Sequence, residues 1–269
     1  MIDQNKNNKK TALITGASSG IGCELSKLFA RDGYNLVLVA RNKQRLEQVA
    51  DELREKFGIS TKVVPKDLSV TTSPKEIFDE LQQESIQIDI LVNNAGFGVY
   101  GVFSETDITK DLQMIQVNLV SLTHLTKLFL PGMLKQGYGR ILNVGSIGSF
   151  VPGPLNAVYC ATKAYVLSFS EGIAEEIEGS GISVTVLCPG ATRTEFHKRA
   201  QMEGINLLKF GVMDAQTVAK IGYRALMKGN KRVVIPGAYN RIQMFLTRFM
   251  PRKILAKTVR YQMSEHLDK

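Results

Sequence analysis

The sequence predicts an α/β fold built on a doubly wound, mainly parallel sheet, and three observations carry that prediction. Short apolar runs rich in β-branched residues recur along the 269 residues, and stretches with helical spacing or composition lie between them. The runs are apolar throughout rather than alternating, as expected for strands covered on both faces. A glycine-rich segment, TGASSGIG, begins at the end of the first run, where the chain must turn from strand into helix.

The elements follow in order. TALIT at 11–15 is the first strand, with a helix over 23–32, and NLVLVA at 35–40 is the second, with a helix over 45–57. TKVVP at 61–65 precedes a helix over 74–83, and DILVN at 89–93 precedes a long helix over 111–135. RILNVG at 140–145 leads to a helix over 158–177, SVTVLC at 183–188 is followed after a long link by a helix over 215–228, and RVVIP at 232–236 is the last strand. Two regions break the alternation: the link over 190–213, and a basic, apolar tail over 237–269. Long links in compact folds serve as lids or binding segments, so substrate specificity is expected there. In the tail, Ile242, Phe245, Leu246 and Phe249 stand at helical spacing, Pro251 ends the pattern, and a second amphipathic run follows. That stripe is expected to pack on the chain's own core or on a second subunit, in preference to an anionic membrane surface. No repeat or Pro/Ser-rich linker divides the chain, so 1–269 reads as one dinucleotide-binding domain with a polar segment over 1–10.

Composition narrows the function. A chain that is 44% hydrophobic can bury a large core. The formal charge of +9 is spread along the sequence with no basic block interleaved with aromatics, which argues against a nucleic-acid partner. Cys23, Cys160 and Cys188 are far apart and lack metal-ligand spacing, so no disulfide framework and no metal site is expected. The polar N-terminus has no signal-peptide pattern and no apolar run is long enough to span a bilayer; a cytoplasmic protein is expected.

The glycine segment supplies Gly16, Ser18, Ser19, Gly20, Ile21 and Gly22 as candidates to bind a dinucleotide. Glycines permit a tight turn and close backbone approach, and a helix N-terminus offers unpaired N–H groups to a diphosphate. Where an acidic residue at the end of the second strand would accept hydrogen bonds from the ribose of NAD, this chain has Arg41. A guanidinium there suits the 2′-phosphate of NADP, with Ser18 adding a hydroxyl. Arg45 either assists or is simply solvated. Asp67, followed by Leu68, can accept a hydrogen bond from the adenine amino group. NNAG, with Asn94, Ala95 and Gly96, ends the fourth strand; PGATRT, with Pro189, Gly190, Thr192 and Thr194, follows the sixth. Separately each reads as a cap or turn. Together they ring one edge of the sheet.

Tyr159 and Lys163 stand one helical turn apart, so hydroxyl and ammonium can share a site. A nearby cation favours the phenolate and is expected to lower the Tyr159 pKa, letting it exchange a proton with an alcohol or carbonyl oxygen. Ser146, just after the fifth strand, can hydrogen-bond the same oxygen. Asn118 is a poor helix former at a position the pattern buries, and is expected to have a polar partner; a water between it and Lys163 would complete a proton path. Candidate pocket walls are Phe97, Val99, Tyr100 and Phe103 after the fourth strand, Phe150 and Val151 after the fifth, and Phe196, Leu207 and Leu208 in the long link, about half of them expected to pack the loops instead. Arg193, His197, Lys198 and Arg199 add positive charge near the mouth.

TGASSGIG, NNAG, Asn118, Ser146, YCATK and PGATRT occur in the order and approximate spacing of the short-chain dehydrogenase/reductase family, and the likeness runs from 11 to 235. The resemblance implies a Rossmann-type sheet of seven parallel strands, reversible hydride transfer involving a nicotinamide, and an Asn-Ser-Tyr-Lys tetrad. It makes Tyr159 the general acid/base, Lys163 the residue that binds the nicotinamide ribose, Ser146 the residue that orients the substrate oxygen and Asn118 the support of the relay; Ser149 is a rival for Ser146 with the wrong spacing. It implies NADP as cofactor, a small apolar carbonyl or alcohol as substrate, and a homodimer or homotetramer formed through the helices around 111–135 and 158–178. Within the family the chain is similar to bacterial reductases grouped with the D-alanine transfer protein, and more distantly to long-chain 3-ketoacyl-CoA and hydroxysteroid reductases. An NADPH sensor without turnover and a membrane-associated lipid-pathway protein are the alternative readings.

Overall fold

The computed structural model describes residues 9–202, 204–209 and 211–264; residues 1–8 of the polar N-terminal segment and the end of the tail, 265–269, lie outside the described residues. Strands β1 (Thr11–Thr15), β2 (Asn35–Ala40), β3 (Thr61–Pro65), β4 (Ile90–Asn93), β5 (Gly139–Val144) and β6 (Ile182–Leu187) appear where the apolar runs place them. Two short strands in the long link, β7 (Thr192–Arg193) and β8 (Met213–Asp214), pair with each other, and β9 (Val233–Val234) completes the main sheet. The sheet has seven strands in the order β3-β2-β1-β4-β5-β6-β9, all parallel.

Side chains alternate across the sheet. Ala12, Ile14, Leu36, Leu38, Ile90 and Val92 pack against α1 (Gly20–Arg31), α2 (Lys43–Phe57) and α8 (Ala215–Lys228). Leu13, Val37, Leu91, Ile141 and Val184 face α3 (Ser73–Gln83), α5 (Leu122–Gln136) and α6 (Ala157–Glu176) on the opposite side. Both faces are therefore buried, which explains runs without polar alternation; each fully buried Leu or Ile contributes about 1.5–3 kcal/mol. The order of strands reverses beside β1, and ligands of such sheets sit in the crevice at the carboxyl ends there.

The long helix expected over 111–135 is two helices joined by a π turn. α4 (Ile108–Ile115) passes through Gln116–Ser121 into α5 without a break. A π turn adds one residue to the turn and rotates the following side chains. Here it carries Asn118, which is buried.

The link over 190–213 holds α7 (Glu195–Arg199) and a 3-10 turn at Asn206–Lys209 between β7 and β8. The tail forms α9 (Ala238–Thr247) and α10 (Arg252–Met263), interrupted at Pro251 as the pattern anticipates. Its faces correct one expectation, because the stripe does not pack on the chain's own core. Ile242, Phe245, Leu246 and Phe249 are 61%, 56%, 53% and 73% exposed. The inward face of α9 is instead set by Asn240, which donates to the Pro236 carbonyl at 2.9 Å, and by Met244 one turn on. Leu255, Val259 and Met263 of α10 bury themselves against Ala200, Met202 and Ile205 of the long link. Among the described residues no helix is long and apolar enough to cross a membrane.

Candidate active site

A cleft of about 900 Å³ opens at the carboxyl ends of the strands. The glycine segment forms one wall, from which Gly16, Ser18, Ser19, Gly20 and Ile21 face the cleft. Gly16 has a φ of 67° and donates its N–H to the Val39 carbonyl at 2.8 Å, so the turn needs glycine there. No side chain caps the first turn of α1. Gly22 does not face the cleft. A Cβ on it would stand 2.3 Å from the Gly16 carbonyl oxygen and 2.5 Å from Asn94 Nδ2, so this glycine lets α1 press against the turn.

Arg41 lines the cleft from the end of β2, exposed, with the Asp67 carboxylate 3.9 Å away, too far for a hydrogen bond. Asp67 and Leu68 line the same end; Asp67 also accepts from the Ser69 N–H at 2.9 Å. Asn94 anchors the third wall, donating to the Thr15 carbonyl at 2.9 Å, with Ala95 and Gly96 following it into the cleft. Asn93, its neighbour in sequence, turns into the sheet and donates to Asn143 Oδ1 at 2.9 Å. Pro189, Gly190, Thr192 and Thr194 close the fourth wall. Thr194 also caps α7, accepting from the Phe196 N–H at 3.2 Å.

Ser146, Tyr159 and Lys163 come together on the cleft floor. Ser146 takes an extended conformation at the start of a 3-10 turn, its Oγ accepting from the Gly148 N–H at 3.0 Å, and its side chain is near enough to Tyr159 to oppose the rise in the phenol's pKa. Ser149 points away, donating to the Lys163 carbonyl at 2.7 Å, which makes it a scaffold residue. Lys163 is buried and donates from Nζ to the Val144 carbonyl at 2.8 Å. Burial disfavours its charge and brings its pKa down to about 8. The expected lowering of the Tyr159 pKa by Lys163 is not what the site shows. Burial pushes the phenol up, and the nearby Ser146 hydroxyl opposes that rise; the Lys163 ammonium lies 5.7 Å from the ring centroid and is turned to Val144.

Asn118 lies behind the floor. Its Oδ1 accepts from the Phe97 N–H at 3.1 Å, and its Nδ2 donates to the Phe97 carbonyl at 2.9 Å and to Thr162 Oγ1 at 3.2 Å. Glycine at 96 makes room for this arrangement, since a Cβ there would be 3.0 Å from Asn118 Oδ1 and 3.4 Å from Lys163 Nζ. The polar partner expected for Asn118 is thus the loop after β4.

Of the expected walls, Phe97, Val99, Tyr100, Val151, Phe196 and Leu207 line the cleft. Phe103 is 65% exposed, Phe150 packs beside Tyr165 and Phe169, and Leu208 packs beneath the link. His197 and Arg199 line the mouth, whereas Arg193 and Lys198 do not. Arg45 is neither free nor simply solvated: it clasps both oxygens of Glu195 at 2.9 and 3.0 Å, and Arg199 pairs with the same carboxylate.

Sequence reasoning missed the contribution of the tail. Met244, Met250, Leu255, Val259 and Met263 also line the cleft. Tyr100 fixes them in place, donating its hydroxyl to the Met263 carbonyl at 2.7 Å. The signal was present, because 255, 259 and 263 repeat at one helical turn. It was masked by the larger aromatic stripe on α9.

The cleft fits a dinucleotide on its own terms: an uncapped helix start of twelve residues faces it, glycine backbone approaches it closely, and a guanidinium stands at one end. The comparisons with known proteins agree with that geometry. The family model described as short chain dehydrogenase matches residues 10–203. The very-long-chain 3-oxoacyl-CoA reductase of Anas platyrhynchos is 36% identical over 193 residues, 70% of this chain but 61% of that protein, so the chain spans less than two thirds of that relative. An uncharacterized oxidoreductase of Staphylococcus epidermidis is 34% identical over 205 residues, 74% of this chain and 87% of that one. Among solved structures, a short-chain dehydrogenase from Sphingobium yanoikuyae in complex with NADPH superposes with a TM-score of 0.79 at 33% identity, covering 90% of this chain and 97% of that one. A match over that much of the chain leaves no doubt of kinship: the protein belongs to the short chain dehydrogenase family of oxidoreductases.

Proposed function

We propose that the protein reduces an apolar ketone or aldehyde to the alcohol, or catalyses the reverse, using NADPH. The observation that carries the reading is the gathering of the Ser146 and Tyr159 side chains on one wall of the cleft, with the buried Lys163 one helical turn behind. The Sphingobium structure in complex with NADPH and the 3-oxoacyl-CoA reductase of the duck support the cofactor and the substrate class. So does the resemblance to bacterial reductases grouped with the D-alanine transfer protein.

In this reading the backbone of Gly16 to Ile21 holds the diphosphate, Arg41 and Ser18 the 2′-phosphate, and Asp67 with Leu68 the adenine. Asn94 to Gly96 and Pro189 to Thr194 enclose the rest, with Tyr159 and Lys163 at the nicotinamide ribose. The cofactor, when bound, supplies hydride to the carbonyl carbon. Tyr159 donates its proton to the carbonyl oxygen, and Ser146 steadies that oxygen with a hydrogen bond. A phenol held protonated by burial is in the right state for this direction. Lys163, turned to the Val144 carbonyl one helical turn from Tyr159, sets positive charge beside the site. Asn118 acts as a positioning residue, because its side chain is engaged with Phe97 and Thr162. The apolar walls from the link and the tail favour a bulky or extended hydrocarbon next to the carbonyl.

A homodimer or homotetramer through the helices around 111–135 and 158–178 belongs to the same reading. Ile108 and Leu112, 64% and 57% exposed on α4, support it, and a monomer mass by analytical ultracentrifugation would refute it.

The test is titration with NADPH and NADH by fluorescence, then oxidation of bound NADPH against ketones, aldehydes, quinones and 3-ketoacyl thioesters. Tight NADPH binding with turnover of one carbonyl class is expected. Tight binding without turnover across the panel would leave an untested substrate or a sensor, and absence of NADPH binding would discard the reading.

A further inference from the structure

We infer that helices α9 and α10 form a docking face for an anionic lipid bilayer. The outer surface of the tail carries the features of such a face. Ile242, Phe245, Leu246 and Phe249 form an apolar crest more than half exposed, with the rings of Phe245 and Phe249 in edge contact at 5.4 Å between centroids. Ile254 and Tyr261 extend exposed apolar surface onto α10, at 53% and 72% exposure. Arg241, Arg252, Lys253, Lys257 and Arg260 on the same two helices, and Arg248 at the end of α9, are exposed. No Asp or Glu occurs between 237 and 264, and none of the six cations pairs with a carboxylate among the described residues.

The occupant follows from this charge. Two copies meeting symmetrically through this face would bring one set of unpaired cations against the other. An anionic bilayer complements them, while the aromatic and aliphatic crest enters the boundary between headgroups and acyl chains. Long Arg and Lys side chains beside such a crest keep their charges at the headgroups. The crest is also continuous with the cleft, since Leu246 is both exposed on α9 and part of the cleft lining.

The experiment uses the full chain and sedimentation with vesicles of phosphatidylcholine alone or mixed equally with phosphatidylglycerol. Wild-type protein is expected to bind the mixed vesicles far better than the neutral ones, and to release them as salt is raised. The double variant Phe245→Ser with Phe249→Ser, and separately Arg248→Glu with Lys253→Glu, should each weaken binding by about tenfold or more. None of these four residues lines the cleft, so NADPH affinity serves as the check that each variant is folded. Equal binding to both vesicle types, no binding by folded wild-type protein, or binding unchanged in both double variants would overturn the inference. Self-association abolished by the Phe245 and Phe249 substitutions, without vesicle binding, would assign the face to a second copy instead.

Discussion

Asn118 holds both backbone polar groups of Phe97, accepting from its N–H at 3.1 Å and donating to its carbonyl at 2.9 Å. This pair of bonds fastens the loop after β4 to the π turn, so the wall that carries Gly96 is fixed relative to the floor that carries Lys163. Asn118→Ala leaves both backbone groups of the half-buried Phe97 without their partner, at a cost of about 1–2 kcal/mol. The urea midpoint should fall accordingly. A positioning role also predicts that kcat falls more than NADPH affinity, whereas a purely structural role would lower active protein without changing kcat per folded molecule.

Tyr159→Phe removes the hydroxyl to which the proposed reaction assigns the proton transfer, and leaves the ring against Phe196, whose centroid is 5.5 Å away. Turnover should drop by about 10²–10⁴-fold with NADPH affinity within about threefold of wild type. Substantial turnover in single-cycle NADPH oxidation would refute the assigned role.

Lys163 is buried at a cost to stability. Burial lowers its folded pKa to about 8, so the unfolded chain binds more protons between that pH and the ordinary lysine value. The penalty is complete below pH 8 and fades as pH rises through that window. Lys163→Met should therefore stabilise the fold at pH 7 by about 1–2 kcal/mol after the lost bond to Val144 is subtracted, while abolishing turnover. Melting curves at pH 7 and pH 10 should show the gain shrinking at the higher pH. In wild-type protein the first loss of reductase activity on raising pH should lie near 8, where Lys163 loses its charge, because Tyr159 is held protonated beyond it.

Arg41→Asp exchanges the cation facing the cleft for a carboxylate beside Asp67, which already lies 3.9 Å from the guanidinium. NADPH affinity should weaken by about 10–100-fold, with the ratio of NADH to NADPH use rising. An unchanged cofactor ratio would remove Arg41 from the phosphate site.

The sequence by itself determined the order of strands and helices, the glycine turn, and the residues that meet at the sheet's carboxyl edge. Apolar runs, helical spacing and glycines act locally, and a parallel sheet gathers the ends of its strands at one edge whatever the details of packing. Only the tertiary structure decided what burial and competition settle. Gly22 turned from the cleft to pack against Gly16, Arg45 chose Glu195 across a sequence gap of 150 residues, and Asn118 faced Phe97 because a π turn rotated it. The pKa directions of Tyr159 and Lys163 likewise depend on how deeply both groups sit, which i and i+4 spacing does not specify. The tail shows the division most clearly. Both amphipathic helices were legible, but on α9 the contacts of Asn240 with Gly190 and Pro236 turned Asn240 and Met244 inward and left the aromatic stripe facing out, while α10 buried its Leu255–Val259–Met263 stripe on the long link.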